Sequence, residues 1–414
     1  MIKVEKCFKI IDYTILFILL FLDSSFILSN NGNGTLIIGI NLISTLYLLI
    51  KNKVKKYDKD KFFFFIFLIL MVSISGLIYE NFKQTFIILS LIFSSFVISN
   101  VFKYNKFKEI FIKLMYFLAI YSLISYGISI VFPKILTLFP ILSVAKTGDI
   151  IDYSYYNLFF SVVSTNKYLM RNYGFFWEPG AYSIFLCIAL LMEISNENIN
   201  FKKVFVFLVA VITTFSTLGI ICGILLIIYL LLKKDKGNKK LKKMKVIFII
   251  LGILTMLYLI TNGDYFIYHV FGKLQKNAAN TYSSTTLTRY NAIVVPFKYF
   301  INNFIFGIGY NNYLNVQKLE CLNMATCTYM NFLCIYGIFG LIPIINNLRF
   351  FINFERKNIL KIILLLLGII IFSTENFIQL TFFYVITFYG FDSFKKRSLN
   401  NHEWEKNAVY CDGN

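Results

Sequence analysis

VFVFLVAVITTFSTLGIICGILLIIYLLL, residues 204–232, lies between Lys202-Lys203 and a loop, Lys233–Lys245, that carries eight lysines. The number of times this run crosses a membrane decides the topology of everything after it. One crossing would put those eight lysines on the far side, against the tendency of Lys and Arg in short loops to stay cytoplasmic. Two short segments turning at Thr213-Thr-Phe-Ser-Thr-Leu-Gly219 keep both basic loops on one side. Each half is shorter than the ~20 residues of an ordinary span. The turn is therefore expected within the membrane, shielded by protein or lining a wet cavity. We read the run as a pair.

Working outward from that pair, apolar runs recur along the whole chain. With 58% hydrophobic and 15% charged residues in 414, a soluble domain is excluded. Spans are expected at about 10–29, 35–50, 62–79, 85–102 and 110–132, then at 181–195, the pair in 204–232, and 246–261. Three more follow at about 326–346, 362–373 and 377–391. The expectation is an all-α integral membrane protein, a single polytopic domain over 1–414, with about 12 transmembrane helices and both termini cytoplasmic. Two large outer loops, 133–180 and 262–325, leave the bundle. This arrangement places only ten of the 41 Lys and Arg outside, so the net charge of +20 follows from the cytoplasmic bias and calls for no nucleic acid. Lys3, Lys6 and Lys9 before the first apolar run, with no small-residue cleavage site, read as an uncleaved signal anchor.

Acidic residues near the cytoplasmic side offer little. Asp12 and Asp23 fall near the two ends of the first span, where they are expected to reach water as interfacial groups. Asp58-Lys-Asp60 has the form of the Asp-x-Asp of metal-dependent sugar transferases, but it sits in a lysine run and reads as a solvated loop. Seven cysteines without paired spacing and two histidines argue against a zinc site, and no metal or other cofactor is expected. Cys321 and Cys327 could face an oxidising side and close a small disulfide loop.

The chemistry is expected in the two outer loops. The first ends in Arg171-Asn-Tyr-Gly-Phe-Phe-Trp-Glu-Pro-Gly180, and the second contains Ser283-Ser-Thr-Thr-Leu-Thr-Arg289-Tyr-Asn. A guanidinium offers forked donors that match phosphate oxygens and stays charged at a desolvated membrane edge. Two such groups converging would hold a pyrophosphate; the plainer reading is that each anchors its loop to lipid headgroups. Glu178 precedes Pro179 at the mouth of a span. That is ordinary helix-start chemistry, and equally a carboxylate placed to act as general base toward a sugar hydroxyl. Asn303-Phe-Ile-Phe-Gly-Ile-Gly-Tyr-Asn-Asn312 follows, its glycines permitting a tight turn. Tyr310, Asn311 and Asn312 supply donors and an aromatic face suited to sugars, with Phe175, Phe176, Trp177 and Tyr313 as further stacking surfaces. The spacing is not a nucleotide fingerprint.

The order Arg171-x-x-Gly-x-Phe-x-Glu-Pro-Gly180, Thr285-x-x-x-Arg289, Phe306-Gly-Ile-Gly-Tyr310 and Tyr336-Gly-Ile-Phe-Gly-Leu341 resembles the O-antigen polymerase and ligase superfamily (Wzy-type polymerases) over nearly the whole chain. The resemblance implies a GT-C-like helical enzyme of the bacterial inner membrane that acts on polyprenyl-pyrophosphate-linked sugar repeats at the periplasmic face, in O-antigen or capsule synthesis. Its partners would be that lipid-linked oligosaccharide, membrane lipid, a flippase and a chain-length regulator. No nucleotide sugar and no metal are implied. Arg171 and Arg289 would hold the donor pyrophosphate. Family members, the ligases especially, carry a histidine about eleven residues before the second glycine segment, where this chain has Thr326. That departure favours polymerase over ligase and leaves the base open, with Glu178 the first candidate and Glu320 the second. A lipid-linked oligosaccharide flippase is the rival from another class, and would be expected to carry its charges inside the bundle.

Overall fold

A computed structural model describes residues 2–26, 34–52, 57–147, 150–158, 161–165, 170–233, 242–243, 245–246, 284–319 and 326–392. The span expected at 246–261, the adjoining loop to 283, Glu320 and Cys321 fall almost wholly or entirely outside them. The chain is mostly helical. Its helices in order are α1 (Ile2–Phe21), α2 (Gly34–Asn52), α3 (Lys59–Ile78), α4 (Phe82–Val101) and α5 (Tyr104–Val131). After a sheet come α6 (Pro179–Ile194), α7 (Phe201–Thr213) and α8 (Thr217–Leu232), then α9 (Ser284–Asn302) and α10 (Gly309–Leu319). The last four are α11 (Thr328–Tyr336), α12 (Leu341–Ile352), α13 (Asn358–Phe372) and α14 (Thr381–Tyr389). Among the described residues, four helical runs are long and apolar enough to cross a membrane: α3, α4, α5, and α11 continued through α12. Shorter apolar helices, among them α6, α8 and α13, pack beside them.

The break expected inside 204–232 is present. Helix α7 stops at Thr213 and α8 starts at Thr217, with Phe215 at φ 47° in the turn. Ser216 caps α8 by accepting the Gly219 N–H at 3.3 Å, and the Thr214 hydroxyl accepts the Ser216 N–H at 3.2 Å. These hydroxyls supply what a helix start lacks when no water reaches it.

Helix α6 is the axis. Its sequence is apolar on every face, the mark of a helix enclosed on all sides, and all its residues except Gly180 are buried. It packs against α5, α7, α8 and the sheet. Ion pairs gather where the lysine-bearing helix ends meet. At the basic end Asp12 takes Lys51 and Lys106 at 2.8 Å each, Lys61 pairs with Asp392 at 3.1 Å, and Lys203 lies 3.8 Å from Glu193. At the other end lie the turns after α1, α3, α7 and α13, together with the sheet.

The loop 133–180 holds the main departure from a helical fold. Ile141–Thr147, Ile150–Leu158, Ser161–Thr165 and Met170–Gly174 form strands β1 to β4 of an antiparallel meander. The sheet is bolted to the bundle through Asn172 of β4. Its Nδ2 donates to Ser122 Oγ at 3.2 Å and to Thr213 Oγ1 at 3.1 Å, tying β4 to α5 and α7.

The glycine segments turn out to be one joint. Gly307 and Gly309 have φ of 68° and 72°, and Gly337 has 62°. A side chain on Gly307 would meet the Ile335 backbone, and one on Gly337 would meet that of Ile305. Ile308 N–H donates to Cys334 O at 2.8 Å, and Ile338 N–H to Phe304 O at 2.8 Å. Bare backbone against bare backbone thus docks the α9–α10 hairpin onto α11.

One expectation is corrected: Asp12 does not reach water at the end of the first span but is buried, and Asp23 is half-buried and engaged by the chain rather than open to water. The helix ends at Phe21, and the Asp23 carboxylate accepts the Thr381 N–H at 2.8 Å, so it caps α14. Asp58 accepts from Asp60 and Lys61 N–H groups at the start of α3, a capping role for the Asp-x-Asp.

Candidate active site

Strand β4 delivers Arg171 to the turn between α7 and α8. Its Nε donates to Thr214 O at 3.1 Å and its Nη2 to Phe215 O at 3.2 Å. Those carbonyls end α7 and have no intrahelical partner, so a charged donor stabilises the interruption. Nη1 is engaged by neither bond. Beyond Arg171 the chain turns at Gly174, whose φ of 56° and close approach to the Tyr182 ring leave no room for a Cβ. Ser25 bridges to Phe176, and Phe26 N–H donates to Phe175 O at 3.2 Å, which fixes this approach to α6 from the α1 side.

Glu178 occupies the N-cap position of α6, with Pro179 next, as a helix start prefers. Its side chain makes no capping hydrogen bond. The carboxyl lies instead beside Glu375, from the turn between α13 and α14. Both sit over Gly180: a Cβ there would be 2.3 Å from Glu375 Oε1 and 3.9 Å from Glu178 Oε1. Only a glycine lets the second carboxyl come so close to the helix start. Glu375 is 5% exposed. Burial pushes its carboxyl well above the usual carboxylate range, and the charge of Glu178 and a hydrogen bond with it push further. The guanidinium charges of Arg289 and Arg171 pull the other way.

The turn holding Glu375 is anchored on three sides. Thr328 Oγ1 donates to Glu375 O and accepts the Phe377 N–H, Asp23 takes the Thr381 N–H, and Gln379 Nε2 donates to Tyr310 Oη at 2.8 Å. Gln379 also donates to Gln84 Oε1 at 3.0 Å, so α1, α4, α10 and α11 all hold the segment. Arg289 stands exposed on α9, which the glycine joint seats against α11.

The sequence-based candidates divide accordingly. Glu178 lies beside the Glu375 carboxyl, and the charges of Arg171 and Arg289 lower its pKa from a distance while Arg171 itself is bonded to the α7–α8 turn. Trp177 is half-buried, with its ring edge-on to Phe377 at 5.9 Å. Tyr310 is buried and presents its hydroxyl to Gln379. Asn311 and Asn312 are exposed on the first turn of α10, Asn312 donating to Ile308 O at 2.9 Å. Phe176 and Tyr313 are buried in the core, so neither can stack on a sugar. Cys327 is a free, buried thiol. Glu375 was not singled out by sequence; its signal was a carboxylate in a short turn between two nearly charge-free runs. No protein-family model, no curated protein and no solved structure matches the chain.

Proposed function

We propose that the chain is a polymerase that joins polyprenyl-pyrophosphate-linked oligosaccharide repeats into O-antigen or capsular polysaccharide. On this reading it is a twelve-span, GT-C-like enzyme of the bacterial inner membrane, with both termini cytoplasmic and the site at the periplasmic face. One observation supports the reading most: a buried carboxyl, Glu375, meets the half-open Glu178 over Gly180, within the electrostatic reach of two arginines from separate segments.

In the reaction, an acceptor sugar hydroxyl of one lipid-linked repeat attacks the anomeric carbon of another chain's reducing-end sugar. The new carbon–oxygen bond forms as the bond to phosphate breaks, and the electron pair leaves on the diphosphate. The hydroxyl proton passes to Glu178, within a site where general-base transfer contributes ~10²–10⁴-fold. Negative charge grows on phosphate oxygens, and preorganised guanidinium groups are suited to stabilise it. Arg289 is free to move onto the diphosphate, whereas Arg171 approaches it from a position fixed by the α7–α8 turn. Trp177 and the exposed Asn311 and Asn312 offer an aromatic edge and neutral donors for sugar.

The test is polysaccharide length in cells. Arg171→Ala and Arg289→Ala are expected to abolish long ladders on a gel while single repeats still reach the outer side. Long ladders from both variants would overturn the assignment. Accumulation of lipid-linked repeats on the cytoplasmic side would instead point to a flippase.

A further inference from the structure

We propose that Glu178 and Glu375 share a single proton held on Glu375, so that Glu178 stays an ionised, hydrogen-bonded base while the site keeps net positive charge. This deepens the polymerase reading and rests on it for the identity of the anion. The geometry alone narrows the options. Two carboxyl groups meet over the backbone of Gly180, one almost fully enclosed and the other half-open. Two carboxylates brought together over one residue cannot both ionise without strong repulsion, and the proton resides on the group with less access to water. That group is Glu375. As the acid of the pair it donates to Glu178, holding the second carboxylate in one orientation. Glu375 is thus a positioning residue, and Glu178 touches the acceptor.

The charged groups facing the pair come from β4 and α9, in Arg171 and Arg289. On α11 the neighbour is the neutral Thr328, and Asp23 on the α1 side is engaged with Thr381. Two guanidinium charges against one shared negative charge leave one positive charge to attract a diphosphate. With both glutamates ionised the site would be neutral and would lose that attraction. After the acceptor O–H proton moves to Glu178 the pair carries two protons, and loss of one to water restores the starting state.

The experiment uses the full chain in lipid nanodiscs with two readouts. Infrared spectra across pH are expected to show a protonated-carboxyl stretch at neutral pH that is absent in Glu375→Gln. In Glu178→Gln the same band should vanish at lower pH, because the neighbouring charge that favours protonation is gone. Binding of inorganic pyrophosphate is measured in parallel. Wild type should weaken by about tenfold relative to Glu375→Gln as the band titrates away; comparison at equal pH cancels the titration of pyrophosphate itself. Glutamine keeps the donor and the shape, so Glu375→Gln should bind as wild type does at neutral pH. A spectrum unchanged by Glu375→Gln overturns the shared proton, even if pyrophosphate binds. The predicted spectra without pyrophosphate binding would leave the shared proton standing and overturn the polymerase site.

Discussion

Replacing Gly180 by alanine adds one methyl group to the site and changes no charge. Its Cβ would lie 2.3 Å from Glu375 Oε1, where ordinary contact begins at 3.4 Å, so the carboxyl must withdraw by about one ångström. The backbone of Glu375 is held by Thr328, so the side chain takes up the shift. Overpacking of this kind costs ~1–3 kcal/mol, offset in part by the ~0.8–1 kcal/mol that alanine gains over glycine in a helix. Gly180 does not need a left-handed backbone, and no further strain is added. The net stability loss should be at most about 2 kcal/mol. Function should suffer more, because a ~1 Å misplacement of a reacting group can cost ~10²-fold. The assay pairs polymer length in cells at matched protein level with thermal melting of purified protein. Gly39→Ala is the control, since nothing lies within 4 Å of its Cβ position. Wild-type ladders from Gly180→Ala would refute the reasoning.

Three more expectations concern the scaffold and its charges. Arg171→Lys should keep a cation but not two directed bonds to Thr214 and Phe215, giving partial polymerisation where Arg171→Ala gives none, as ladder length will show. Gly307→Ala meets both a left-handed backbone, worth ~1–2 kcal/mol, and the Ile335 backbone, so the yield of folded, monodisperse protein should collapse. Asn172→Ala leaves Ser122 and Thr213 without their shared donor inside the bundle. A stability loss of ~1–3 kcal/mol is expected in denaturant or thermal melts.

The mostly helical, membrane-type character was legible because long apolar runs recur along the chain with lysines clustered in the loops between many of them. The break at Thr213–Gly219 followed from the lysines on either side of its run, and its Thr and Ser hydroxyls proved to be the caps that make such a break tolerable. The sheet was missed although Asp152-Tyr-Ser-Tyr-Tyr-Asn157 alternates as a half-buried strand does. Arg171 and Glu178 stood out as polar residues beside a span, but Arg171, whose plainer reading is a lipid-headgroup anchor, braces the α7–α8 turn, and the Glu178 side chain does not cap its helix. Glu375 escaped because its one local mark, a carboxylate in a short turn between nearly charge-free runs, does not point to a partner. Its partner is about two hundred residues away in sequence, and only the packing of Phe377, just ahead of α14, and Phe382, at its start, against Phe185 of α6 brings the two carboxyls together.

The central claim is that Arg171 and Arg289 act on one anion. Titration of inorganic pyrophosphate into the full-length protein in nanodiscs, comparing wild type, Arg171→Ala, Arg289→Ala and the double variant, tests it most directly. Each single variant should bind at least ~10-fold more weakly, and the double loss should depart from the sum of the singles by ~0.5–3 kcal/mol, as groups sharing one ligand do. Wild-type affinity in either single variant, with the fold intact, would contradict the account.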